Sequence, residues 1–368
     1  MRRRALMGVA RIVLLALALP SAATASMADL LRAPPKSRES VKRMITIPSS
    51  LGNGSVGVPA LIYASEYKRH QTRDLVGRAL RAGFRAVDTA AGEGHRFNET
   101  AVGDAVRAFP ESVFLQLKVH HVTPPKKRKA EREPEGDGPA AARRVGRALA
   151  GGLRSLGVAS VDALLLRGPS AAARKSGELA DADVAAWREM QRAALDGRAR
   201  LLGVCNFPPK LLEQLLALDG PRCRLHQTKV RADRAWNRED RVLAAASGVL
   251  LQAPNLISGN GPAFARGRAL HEVAVARSAT PESTALKFAV QLGVVPVVGA
   301  TSAKHIRDDL TALDGAPLTD AEVAKIEWAF SKTPGGANAG GAGRARKALR
   351  GAEREAAKGP RKKKAKRA

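Results

Sequence analysis

Residues 83–119 read GFRAVDTAAGEGHRFNETAVGDAVRAFPESVFLQLKV. Two short runs, 85–88 and 113–119, are rich in Val and Leu, the composition of strands buried on both faces. Between them, residues 99–108 read as a helix with Asn98 as its N-cap. Upstream, residues 71–82 repeat Leu75, Leu80 and neighbouring alanines at helical spacing until Gly83 stops the helix. Helix, strand, helix and strand in this order imply a parallel sheet covered by helices.

The same alternation extends in both directions. Strands are expected at 61–64, 85–88, 113–119, 161–166, 201–205, 225–230, 249–253 and 294–298. Helices are expected at 71–82, 99–108, 140–156, 182–195, 210–218, 237–246, 270–292 and 303–313. Eight such units predict closure into a (β/α)8 TIM barrel rather than an open doubly wound sheet. The Gly-rich strand-to-helix turn of a Rossmann domain is absent, so a nucleotide would have to bind at the barrel mouth. Ahead of the barrel, Asn53-Gly54 between apolar runs signals a hairpin placed to plug the barrel bottom.

The chain has 368 residues, 45% of them apolar, enough to bury a core and too many for a mostly disordered chain. Two cysteines, Cys205 and Cys223, allow at most one bridge, which excludes a disulfide framework. The formal charge is +28, but residues 344–368 hold 12 Lys and Arg against two acids, and residues 1–44 nine against two. The excess therefore belongs largely to two extensions. Residues 1–25 combine Met1-Arg-Arg-Arg, an apolar run and Ala23-Thr24-Ala25, the order of a secretory signal or organelle-targeting peptide too short to span a bilayer. Arg11 interrupts the run, which leaves a docked arm or a transit peptide open. Residues 26–44 form a basic linker and 45–332 the barrel. From Thr333 to the end, Gly, Ala and like charges predict a disordered basic tail, either simply solvated or bound to acidic partners. Lys126-Lys-Arg-Lys followed by four acids reads as a surface loop insertion. Nucleic-acid binding rests on the tails alone and lacks interleaved aromatics. No other candidate membrane span is found, and a monomer is expected.

Six motifs, in order, resemble the aldo-keto reductases over residues 45–328. They are Asp88-Thr89-Ala90 with Asn98-Glu99 and Val102-Gly103, the Lys118 strand, Val161-Asp162 with 164–166, Gly203-Val204-Cys205-Asn206-Phe207, Gln227, and Val295-Pro296 through His305-Ile306. The resemblance implies NADP(H) across the barrel mouth and reduction of a small carbonyl substrate. It also implies a tyrosine acid whose pKa, ordinarily about 10, is lowered by a lysine held by an aspartate. Asp88 and Lys118 match that pair. The resemblance further places Ser65, Asp88, Cys205, Asn206, Gln227, Thr301 and Ser302 at the cofactor.

Several positions depart from the pattern. The only tyrosines are Tyr63 and Tyr67, and none follows Asp88. Counting from Asp88 puts Glu93 at the tyrosine position; counting back from Glu99 puts Arg96 there. A carboxylate beside Lys118 would be held ionised, so His95 is the better substitute acid, and a reshaped loop is the alternative. Arg167 stands where the resemblance implies a histidine that orients the carbonyl, and it can hydrogen-bond an oxyanion but not shuttle protons. Cys205 replaces a serine, Ala253 replaces a stacking aromatic ring, the phosphate-binding lysine falls on Gly299, the arginine on His305, and Asp308-Asp309 replace a Glu-Asn pair. Weakened NADP binding follows. Two functions remain open: an NADP(H)-dependent carbonyl reductase, or a catalytically inactive barrel serving as a ligand-binding or scaffold protein. The N-terminal signal points to the secretory pathway or an organelle, whereas the basic tail suits a cytoplasmic or nuclear protein.

Overall fold

The computed structural model of the chain describes residues 44–92, 96–121, 138–261, 264 and 268–331. The targeting segment, the linker up to Arg43, Glu93, His95, the charged loop from Lys126 and the tail from Thr333 lie outside the described residues.

A two-stranded antiparallel hairpin, β1 (Met44–Pro48) and β2 (Ser55–Pro59), precedes eight parallel strands. These are β3 (Ile62–Ala64), β4 (Ala86–Ala90), β5 (Phe114–Val119), β6 (Val161–Arg167), β7 (Ala199–Cys205), β8 (Cys223–Gln227), β9 (Leu250–Pro254) and β10 (Val294–Val298). They close in sequence order, with β10 pairing both β9 and β3. The (β/α)8 expectation is met. Barrel interior and helix-facing layer both need apolar side chains, which is why β4, β5 and β10 are buried at every position.

The hairpin pairs Ile45 with Val58 and Ile47 with Val56, so one apolar face turns inward. Ser50, in its turn, ties it to the N-terminal ends of β7 and β8. Its Oγ accepts from Leu202 N at 2.7 Å and its carbonyl from Arg222 N at 2.7 Å. The hairpin thus caps the end opposite the mouth.

Local differences from expectation have a packing cause. β8 stops at Gln227 instead of continuing to 230, whereas the following helix, Arg238–Ala246, starts within a residue of its expected place. In between, Trp236 is buried with its ring centroid 4.9 Å from Phe288 and 6.1 Å from Phe264. Anchoring that indole holds Ala235, Trp236 and Asn237 in left-handed backbone, which no strand can continue through. The 270–292 stretch divides where Thr280-Pro281 is expected to start its second half, into Arg268–Ala276 and Pro281–Gln291, with Thr280 capping the second. Among the described residues no helix is long and apolar enough to cross a membrane.

Candidate functional site

Toward the mouth, Asp88 is the central residue of β4, and Lys118 lies two residues beyond Gln116 on β5, facing the same way. Lys118 Nζ donates to Asp88 Oδ2, and both side chains are almost fully buried. Gln116 Nε2 donates to Asp88 Oδ1 at 2.8 Å and Gln227 Nε2 to the same oxygen at 3.2 Å. Gln116 and Gln252 exchange amide hydrogen bonds at 2.8 and 2.9 Å. Beneath the mouth lies a buried polar layer in which the carboxylate and ammonium have partners, the condition under which a buried ion pair is tolerated. Gln116 and Gln252 were not singled out from the sequence. Their signal was available: Gln252 is the single polar residue of β9, and Gln116 shares β5 with Lys118 alone among polar residues.

The residue over Lys118 is Phe97, also not foreseen. Its buried ring centroid lies 5.1 Å from Lys118 Nζ and 5.8 Å from the Arg167 guanidinium. Asn98 fixes the chain just beyond it by capping the Glu99–Arg107 helix, its Oδ1 accepting from Ala101 N at 3.0 Å. Arg96 pairs with Glu66 and lies 5.1 Å from the Tyr67 ring and 5.9 Å from the Phe97 ring. The two tyrosines are engaged elsewhere: Tyr67 faces Arg96, and the Tyr63 hydroxyl donates to Ala300 O at 2.8 Å, where burial raises its pKa far above the usual value.

Cys205 ends β7 opposite Arg167 of β6 and Gln227 of β8. Its thiol donates to Gln227 Oε1 at 3.8 Å, and burial pushes its pKa up to about 11 against the opposing pull of Lys118 and Arg167. It is a neutral thiol near pH 7. Asn206, next in the chain, has left-handed backbone and an exposed side chain at the mouth. Ser65 is buried, with Oγ donating to the Asp88 carbonyl at 3.0 Å. Thr301 is exposed, and Ser302 Oγ caps the Ala303–Thr311 helix by accepting from His305 N at 3.1 Å. Asp308 pairs with Lys304 at 2.6 Å, while burial and then Asp308 push the Asp309 carboxyl up to about 7. Asp88, Lys118, Arg167, Cys205 and Gln227 therefore converge; Thr301 and Ser302 lie on the β10 side of the rim.

A second polar cluster flanks the mouth after β5 and β6. His121 Nε2 lies 2.9 Å from Asp183 Oδ1, and Ser170 Oγ donates to Asp183 Oδ2 at 2.6 Å. Burial works against the Asp183 carboxylate, but these hydrogen bonds prevail and hold its pKa below the usual range. Both partners end on the carboxylate, so this is not a serine activated by a histidine. Among the described residues, no group of three or more His, Cys, Asp or Glu could hold a metal ion.

Comparison with known proteins gives the family and the fold. The sequence model described as the Aldo/keto reductase family matches residues 50–232. A relative from Mycobacterium sp. (strain MCS), named aldo-keto reductase, is 30% identical over 76% of this chain and 90% of its own length. Morphine 6-dehydrogenase of Pseudomonas putida is 24% identical over 75% of this chain and 88% of its own. The crystal structure of an aldo/keto reductase from Brucella melitensis superposes with a TM-score of 0.60 at 21% identity, over 77% of this chain and all of that one, a likeness of fold.

Proposed function

This chain belongs to the aldo/keto reductase family of oxidoreductases, and from that premise we propose that it reduces small reactive carbonyl compounds with NADP(H), slowly, because it has no phenolic acid. The observation that carries the reading is the buried Asp88–Lys118 pair at the barrel mouth. Burying two charges costs several kcal/mol per ion before pairing offsets it, so the pair is an expensive way to fill a core.

The rim residues fit a dinucleotide at its phosphate end better than at its nicotinamide end. Asn206 and Thr301 offer exposed polar groups there. Ala253 has no ring to stack, and the Gln227 amide is already engaged by Asp88. Asp308 is paired with Lys304 and the Asp309 carboxyl is pushed up to about 7, so the two acids offer no positive charge to an additional phosphate and only a partial negative one, in keeping with weakened NADP binding. When bound, the dinucleotide supplies a hydride. The chain's own contribution is electrostatic: the Lys118 ammonium, held by Asp88, hydrogen-bonds the carbonyl oxygen and stabilises the alkoxide as charge develops. Arg167 adds a second cation on the same side. The proton must then come from Lys118 or from water, since Phe97 has none to give.

A second reading, a ligand-binding barrel without turnover, is favoured by that same Phe97 ring packed over Lys118. Fluorescence titration with NADPH followed by turnover of 4-nitrobenzaldehyde separates the two. Saturable binding with slow turnover is expected, reduced at least tenfold in Lys118→Met. Phe97→Tyr, which adds a phenol beside the ammonium, is expected to raise turnover by roughly 10- to 100-fold, the lower part of the range for a positioned general acid. Binding without turnover in every variant supports the second reading, and no binding at millimolar NADPH sinks the first.

A further inference from the structure

Asp183 stands in the first turn of the Asp181–Leu195 helix, with its side chain fully buried. Four donors converge on its two oxygens. His121 Nε2 lies 2.9 Å and Ser170 N 2.7 Å from Oδ1, while Ser170 Oγ lies 2.6 Å and Ala180 N 3.1 Å from Oδ2. A carboxylate accepts about four such bonds, so this one is saturated. Nδ1 of His121 has no partner among the described residues, and the ring is held by the bond that Nε2 donates to Asp183. Burying an ion is costly even when its lone pairs are met, and an apolar side chain would fill the same space at lower cost. The carboxylate therefore calls for a reason beyond packing.

Its two partners from outside the helix occupy matching places. His121 comes three residues after Lys118 on the chain leaving β5, and Ser170 three residues after Arg167 on the chain leaving β6. The two strands are neighbours, with Lys118 opposite Leu165 and Val119 opposite Leu166. One side chain thus ties together the exits of the strands that carry both cations of the mouth. Each exit has a further tie. The Arg144 guanidinium donates to His121 O at 3.2 Å, and Gly168 N donates to Cys205 O at 2.7 Å. Gly168 has a φ of 71°, a turn that bends the chain away directly after Arg167. Ser170 Oγ also accepts from Ala173 N at 3.1 Å, which fixes the β6 exit from its far side.

We propose that Asp183 is the positioning residue of this mouth: through His121 and Ser170 it holds Lys118 and Arg167 where both meet one developing oxyanion. The part played by the two cations rests on the proposed reduction. The clamp on the two strand exits does not.

The test compares the full chain with four variants, in NADPH-dependent reduction of 4-nitrobenzaldehyde and in backbone hydrogen exchange followed by mass spectrometry. Asp183→Asn and His121→Leu are expected to lower kcat roughly 10- to 100-fold, the scale of a misplacement of about 1 Å, with KM for NADPH within about twofold of wild type. His121→Gln can donate from nearly the place of Nε2 and is expected to recover most of that loss, although glutamine fills the space no better than leucine does. Exchange is expected to quicken at both 118–121 and 167–170 in Asp183→Asn, at the first stretch alone in His121→Leu, and at the second alone in Ser170→Ala. If Asp183→Asn fails to fold, the two His121 variants and Ser170→Ala carry the same test. An unchanged kcat in His121→Leu, a kcat as low in His121→Gln as in His121→Leu, or unchanged exchange at both exits overturns the proposal. A wild-type chain without turnover removes the reductase reading; exchange that quickens at both exits of Asp183→Asn then upholds the clamp, and exchange that does not overturns it as well.

Discussion

Asp309 shows how one position carries both fold and site. Its carboxyl, pushed up to about 7 by burial and by Asp308, binds a proton more tightly in the folded chain than in the unfolded one. Between the ordinary carboxylate range and pH 7 the native state therefore holds more protons, and stability falls as pH rises through that window. Asp309→Asn cannot ionise and should escape the loss. The expected gain is roughly 1–3 kcal/mol at pH 8 and close to nothing at pH 4, read from urea unfolding at both values. A gain equal at the two values would mean that packing and not charge is responsible. The pair Asp88 and Lys118 was legible in the sequence because each sits in a motif within one strand. Phe97 was not, although it adjoins Asn98. Counting positions pointed to Glu93 or Arg96, and only the Asn98 cap and the Arg96–Glu66 pair turn the neighbouring ring over the lysine.

Among the elements, the Glu99–Arg107 helix explains the Val102-Gly103 pair. A Cβ at Gly103 would lie 2.3 Å from the Leu156 carbonyl oxygen, at the end of the Gly138–Leu156 helix. The two backbones touch there, and no rotamer can relieve the clash because the obstacle is main chain. Gly103→Ala should destabilise the barrel by about 1–3 kcal/mol, lowering Tm by several degrees in a scan of wild type and variant. An unchanged Tm would show that the helices separate at little cost. Strands and helices were largely legible, since periodicity within a segment reports its buried faces. At the end of β8, misjudged by about three residues, the chain leaves the sheet for a segment whose Trp236 is anchored against Phe288, a contact from outside the segment that overrides local preference.

For the whole molecule, the charge distribution separates barrel from extensions. The 25 residues from Arg344 hold 12 Lys and Arg, so a chain ending at residue 332 should lose most of its retention on heparin while its Tm stays within a degree or two of the full chain. Retention that survives the cut would place the basic surface on the barrel itself. By itself, the sequence determined the eightfold alternation, the hairpin ahead of it, the charged pair at the mouth and the lack of any tyrosine after Asp88. These are properties of short segments, written in the order and spacing of neighbouring residues. Tertiary structure alone decided that Phe97 covers Lys118, that Gln116 and Gln252 meet across 136 residues, and that Lys68 reaches Gly299 across 231. Closing the barrel makes its first and last strands neighbours, and the contacts this creates have no counterpart in local sequence pattern.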